Sequence, residues 1–263
     1  MRFRQQEGAA VPEHVNLNTH WFYTVWPFIG VGAAIVMIAV LLWTDAFRAN
    51  FAVSRWRDLV WLCWLAVPLY LLHQFEEYSL QTVGLDYSIQ DMIAQKLGYP
   101  KYPDSPIPLA FYPIVNIALM WFGSPLAAYL SRRNILLGLS FWGLIFANGI
   151  VHTLGGVAEG AYNTGLWTAV FLFIPLSIWV LYAVTIRGPY SGKVVATAFI
   201  CGAVTHAALF GGYALYKAGV IGNTGLLVYA GVIGFTPLIL AALVCPLFKP
   251  ESLRPILTPP RSA

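Results

Sequence analysis

Between Trp21 and Phe248 the chain is written as long apolar runs separated by short polar connections. A helix of about 20 residues crosses roughly 30 Å of hydrocarbon, and each run reaches that length. The runs predict helices at Trp21–Thr44, Asp58–Leu80, Ile107–Leu130, Ile135–Leu154, Gly165–Ile186, Val194–Tyr216 and Gly225–Phe248. The last is the loosest, because Gly222, Gly225, Gly231 and Gly234 interrupt it. The expected fold class is therefore all-α, a polytopic membrane bundle of about seven transmembrane helices. A polar N-terminal tail (1–20) precedes the bundle (21–248) and a C-terminal tail (249–263) follows it.

Composition agrees: 59% of residues are hydrophobic and 10% charged, which excludes an ordinary soluble domain, where roughly 25% are charged. A formal charge of +4 could point to nucleic acid, but the basic residues sit in short clusters between apolar runs, the pattern of membrane topology. Ten Lys and Arg fall on the side of the first, third and fifth connections and the C-terminus, and five on the other. That predicts an inner-membrane protein with its N-terminus outside and its C-terminus in the cytoplasm. Trp21, Trp26, Trp43 and Trp56 suit an interfacial belt. Cys63, Cys201 and Cys245 lie in apolar runs without metal-like spacing and read as buried, unpaired thiols. No h-region of a cleavable signal peptide is visible. In the longest connection, Gln81–Pro106, a short amphipathic helix is expected over Ser88–Leu97.

One run ends in chemistry. After the uncharged stretch Leu59–Leu72 come His73, Glu76 and Glu77. An ionisable group at membrane depth costs on the order of 3 kcal/mol and is a functional-site hypothesis by default. At i,i+3 and i,i+4 spacing the three share one broad helix face, where an imidazole and a carboxylate can grip a metal ion or pair for proton transfer. His152 and His206 are the other histidines inside spans, and with His73 they lie on same-direction helices. His73 and His152 are level, with His206 about 6 Å deeper. Candidate catalytic residues are His73, Glu76, Glu77 and His152. Candidate ligands for a divalent metal, zinc or iron, are His73, Glu77, His152 and His206. Asn116, Asn148, Glu159, Tyr162 and Asn163 are placed to support them. Each has a plainer reading: Glu76 and Glu77 as surface markers, His152 as an interfacial histidine, His206 as a helix contact, the asparagines as interhelical glue. No HExxH or CxxC motif decides the matter.

A repeat runs through the second half. His152, Gly155-Gly156, Asn163-Thr164-Gly165-Leu166 and Pro175 are echoed by His206, Gly211-Gly212, Asn223-Thr224-Gly225-Leu226 and Pro237. Related hairpins or coincidence both account for it.

The stretch His73-Gln74-Phe75-Glu76-Glu77-Tyr78 resembles the signature of the HXXEE family of bacterial integral membrane proteins. Asn116, His152, the Tyr162-Asn163-x-Gly165-Leu166 segment and Pro175 match later elements, over roughly Leu72–Leu176. Where the family has a Pro-Gly-Gly-Phe-like stretch this chain has Ser79-Leu80-Gln81-Thr82, and Thr164 replaces a proline. The family carries no settled activity, so the resemblance locates a site without naming a reaction.

Three functions are compatible with these residues. The first is an intramembrane enzyme, metal-dependent or acid–base, acting on a lipid or isoprenoid-like substrate. The second is a proton-coupled transporter, given the prolines within the spans and the repeat. The third is a non-catalytic membrane subunit. Membrane lipids are the expected partners, with no nucleic acid.

Overall fold

A computed structural model describes residues 21–186, 188 and 190–259; the expected N-terminal tail and residues 260–263 lie outside the described residues. The fold is an all-α bundle. Its helices are α1 (Trp21–Trp43), α2 (Leu59–Ser79), α3 (Ile89–Lys96), α4 (Phe111–Leu130), α5 (Ile135–Glu159), α6 (Leu166–Thr185), α7 (Gly192–Lys217), α8 (Asn223–Ile233) and α9 (Thr236–Leu247). Among the described residues six are long and apolar enough to cross a membrane, and the bent pair α8–α9 makes up to seven. The seventh expected span is thus two helices meeting at 53°. Gly234 marks the break, where a side chain would run into Ala118 of α4.

Capping explains where the helices start and stop. Asp58, only 1% exposed, accepts from Val60 N and Trp61 N at the start of α2. It also accepts from Ala49 N and Asn50 N, tying the preceding loop to the helix. The N-terminal amides of a helix have no intrahelical acceptors, so one carboxylate here satisfies two of them and two loop amides besides. Residues 249–259 return to that loop, where Thr258 N donates to Ala49 O at 2.9 Å. Asn134 caps α5 by accepting from Leu136 N.

α5 runs on to Glu159, five residues beyond the predicted Leu154, and ends where Gly160 adopts φ +60°. Gly155 and Gly156 therefore do not stop the helix. They make room for the loop that follows: a Cβ on Gly156 would lie 2.9 Å from Leu166 Cδ2. α5 and α7 cross backbone to backbone, since side chains on Gly143 and Gly202 would run into the opposing main chain. α2, 83% buried across its apolar window, occupies the centre and passes Pro68 unbroken. Two spans contain wide π-helical turns, Ile117–Gly123 and Ala169–Phe173. Each lies just before a proline, Pro125 or Pro175, whose missing N–H the wider turn accommodates. The expected amphipathic helix forms as α3. Cys63 and Cys201 are buried free thiols, whereas Cys245 is only half-buried and takes a hydrogen bond from Asn134.

Candidate metal centre

His73, Glu77 and His152 converge near one end of the bundle, where α2 and α5 finish and α6 begins. One ligand atom from each lies within 4.8 Å of the others, and all three residues are buried. Glu77 Oε1 is the hub, 3.1 Å from His152 Nε2 and 3.4 Å from His73 Nε2.

What surrounds the imidazoles decides which nitrogen faces the hub. His73 Nδ1 lies 2.7 Å from Thr168 Oγ1. That hydroxyl has a single proton and two acceptors beside it, Glu76 Oε2 at 2.6 Å and Gly165 O at 3.2 Å. Its proton is therefore committed, and its lone pair receives the His73 Nδ1–H. On the other ring, His152 Nδ1 lies 3.2 Å from Asn163 Oδ1, and Asn163 Nδ2 donates to His152 O at 3.1 Å, which fixes the amide with its oxygen toward the ring. Both neutral imidazoles thus carry Nδ1–H and present Nε2 lone pairs to a carboxylate oxygen. With both imidazoles neutral these are three converging acceptors, an arrangement that a metal ion or one added proton between them relieves. His73 Nε2 is correspondingly a buried nitrogen without a hydrogen-bond partner.

The gap could hold a metal, judged on the two Glu77 distances, with the third ligand pair within 4.8 Å. In tetrahedral coordination at ~2.0–2.1 Å, neighbouring ligand atoms stand roughly 3.3 Å apart, and the two hub distances bracket that value. Histidine ligands hold their orientation by donating the second ring nitrogen to an outer acceptor. Thr168, backed by Glu76, and Asn163 fill that position here. His73 is sealed, with Phe173 tilted at 39° and 4.5 Å between centroids and Tyr70 edge-on at 5.4 Å. The side chains of Glu77 and His152 each keep 8% exposure, so what access the cluster has is on their side.

The other expected site residues divide. Glu76 does not face the hub. Its carboxylate takes Trp167 N, Thr168 N, Thr168 Oγ1 and Tyr162 OH, capping the start of α6. Four donors on one carboxylate complement the positive end of that helix. Burial and the Glu76 carboxylate together push the Tyr162 phenol well above its ordinary pKa, so it stays a donor. His206 lies outside the three-residue group. It lines a small cavity with Tyr70, Thr205 and Leu209. Asn116 ties α4 to α2, accepting from Gln74 Nε2 and donating to Tyr78 OH. Asn148 donates to Tyr70 OH and so supports the wall behind His73. Glu159 is the last residue of α5 and pairs with Lys96 at 2.7 Å on the surface. The proposed repeat does not extend to the site, because Asn223 accepts from Tyr216 OH and has no counterpart of the His152–Asn163 contact.

Two contributors had roles that no local pattern assigned, although Gly165 stands in both the family-like segment and the repeat. Thr168 is one hydroxyl in an apolar run, and only the fold brings it between Glu76 and His73. Gly165, at φ +90°, passes over both rings: a Cβ there would lie 2.6 Å from His73 Cε1 and 2.8 Å from His152 Cε1.

Residues 64–180 match the model of a family described as "Protein of unknown function with HXXEE motif". No curated protein and no solved structure matches the chain. The HXXEE family model thus matches the part of the chain that carries the site, since His73, Glu77 and His152 all lie inside residues 64–180.

Proposed function

We propose that this chain is an intramembrane metal-dependent enzyme acting on a lipid or isoprenoid-like substrate. The observation that carries the reading is the convergence of two tautomer-locked Nε2 atoms on one carboxylate oxygen. His73, Glu77 and His152 would hold Zn²⁺ or Fe²⁺ and leave a position open, as catalytic sites do. A metal so held polarises an ester or phosphoryl oxygen, or supplies hydroxide near neutral pH. Asn163 and the Glu76–Thr168 pair keep the imidazoles in register, and Gly165 closes the loop over them without filling the site. A lipophilic substrate is favoured by depth within apolar helices. An apolar cavity of about 620 Å³ beside α4 also contributes, lined by Phe22, Ile114, Ile117 and Phe235.

A second reading keeps the same residues. The 3.1 Å His152–Glu77 separation is also a hydrogen-bond distance, so a proton in place of the metal gives an acid–base pair. Metal dependence separates the two. Purified protein incubated with a membrane lipid extract should consume a lipid detectable by mass spectrometry, and chelation or His152→Ala should stop it. Consumption that survives chelation favours the acid–base pair; no consumption of any lipid removes the enzyme reading.

Thr168→Val keeps the shape but offers no acceptor to His73 Nδ1–H. Loss of an outer partner costs about 10–100-fold in metal affinity. A titration of the variant should find that loss, while unfolding in metal-free buffer reads separately the cost of about 1–3 kcal/mol for leaving the buried His73 Nδ1–H without an acceptor. An unchanged affinity would mean that Thr168 serves only the start of α6.

A further inference from the structure

On the surface above the metal centre lies a cavity of about 180 Å³ between the α2–α4 connection and the loop Tyr162–Thr164. It shares a wall with the site. Asn163 and Tyr162 line it while their other atoms hold His152 and Glu76. Tyr87 and Tyr162 meet with ring centroids at 4.8 Å and planes at 80°, forming an aromatic corner of this cavity. Asp86 and Asp91 stand beside the corner, and Lys101 also lines the cavity. Glu159 adds a third carboxylate, partly committed to Lys96. Independent of the charges, Thr164 lines the cavity at 3% exposure, and its buried Oγ1 has no hydrogen-bond partner.

We infer that this vestibule receives a zwitterionic phospho-ammonium headgroup. An aromatic corner backed by carboxylates is the chemistry that recognises an ammonium group, through ring quadrupoles and charge together. Lys101 gives the attached phosphate its counter-charge, and Thr164 Oγ1 gives it a donor. The place fits too, because the ends of α5 and α6 that frame the vestibule are ends of membrane-length helices, the level at which headgroups lie. The inference rests on the lipid-like substrate proposed above and names the polar end of it. The tail lies in the apolar interior and the headgroup is read at the surface, with the metal centre between.

The same headgroup is carried by a lipid and by free phosphocholine, and the test uses both. Protein in maltoside is titrated with phosphocholine, following the fluorescence of Trp167, which stacks on Tyr162 at 6.1 Å. Protein in nanodiscs is then compared between phosphatidylcholine and phosphatidylglycerol. Saturable binding is expected, weakened about five- to tenfold by Tyr87→Leu and by Asp86→Asn, and retained in His73→Ala. A response confined to phosphatidylcholine nanodiscs supports the inference with a membrane-borne source. Glycerol phosphate binding as well as phosphocholine, displacement by Ca²⁺ alone, or indifference to Tyr87→Leu would each overturn it. Headgroup binding in a protein that consumes no lipid would sink the enzyme reading and leave this one standing.

Discussion

Glu77→Gln is expected to lower the affinity for Zn²⁺ or Fe²⁺ by more than about 100-fold, since loss of an outer partner alone costs about 10–100-fold and Glu77 is the hub itself. The same variant, stripped of metal, is expected to melt at or above the wild-type temperature. The two halves together make the prediction distinctive. If the Glu77 carboxylate were a structural ion-pair partner, removing its charge would leave His73 and His152 unpaired in a buried site and destabilise the protein by about 3–5 kcal/mol. If it is a metal ligand, the metal-free wild type already carries the cost of three converging acceptors. A glutamine amide can then donate to a histidine Nε2 and relieve it. Added metal should raise the wild-type melting temperature, by the equivalent of about 4 kcal/mol at 1,000 times Kd, and leave the variant unmoved. Thermal unfolding in detergent with and without metal reads both effects.

Gly165→Ala should be as damaging to the site and more damaging to the fold. Two costs add. At φ +90° an L residue pays about 1–2 kcal/mol of backbone strain. The new methyl would also stand 2.6 Å from His73 Cε1, 2.8 Å from His152 Cε1 and 3.0 Å from His152 Nδ1, all below van der Waals contact. Both rings are held by Thr168 and Asn163, so they cannot yield without losing those bonds, and overpacking of this kind costs about 1–3 kcal/mol. A loss of about 2–5 kcal/mol is expected in equilibrium unfolding, accompanied by loss of metal. Gly84→Ala is the control: its φ of +88° imposes the same strain, but nothing lies within 4 Å of the added Cβ. A Gly165→Ala variant no worse than Gly84→Ala would mean that the loop does not press on the imidazoles.

How much of this was written in the chain differs between its levels. The spans were legible because a helix in hydrocarbon needs a long apolar run and little else: α1, α2 and α6 fall within one residue of their predicted ends. The end of α5 lies five residues beyond the expected Leu154, past Gly155-Gly156. The reason for that glycine pair, clearance for Leu166 and Asn163, exists only once α6 has packed back. The break between α8 and α9 was visible only as a surplus of glycine. At the site, His73 and Glu77 were legible from i,i+4 spacing, and His152 from its matching depth. Glu76 was not separable from Glu77, since adjacent carboxylates differ only in direction, and the direction is set by the α6 amides it caps. His206 had a matching helix direction but is not one of the three grouped residues. Thr168 and Gly165 act through contacts about 90 residues distant from α2, which no local pattern encodes.

X-ray absorption on protein purified without chelator tests the central claim most directly. The account predicts one zinc or iron per chain, with imidazole nitrogens and a carboxylate oxygen at ~2.0–2.1 Å, no sulfur neighbours, and loss of the metal in His73→Ala. A protein that stays metal-free after incubation with both ions, or one whose metal sits on sulfur at ~2.3 Å, would contradict it.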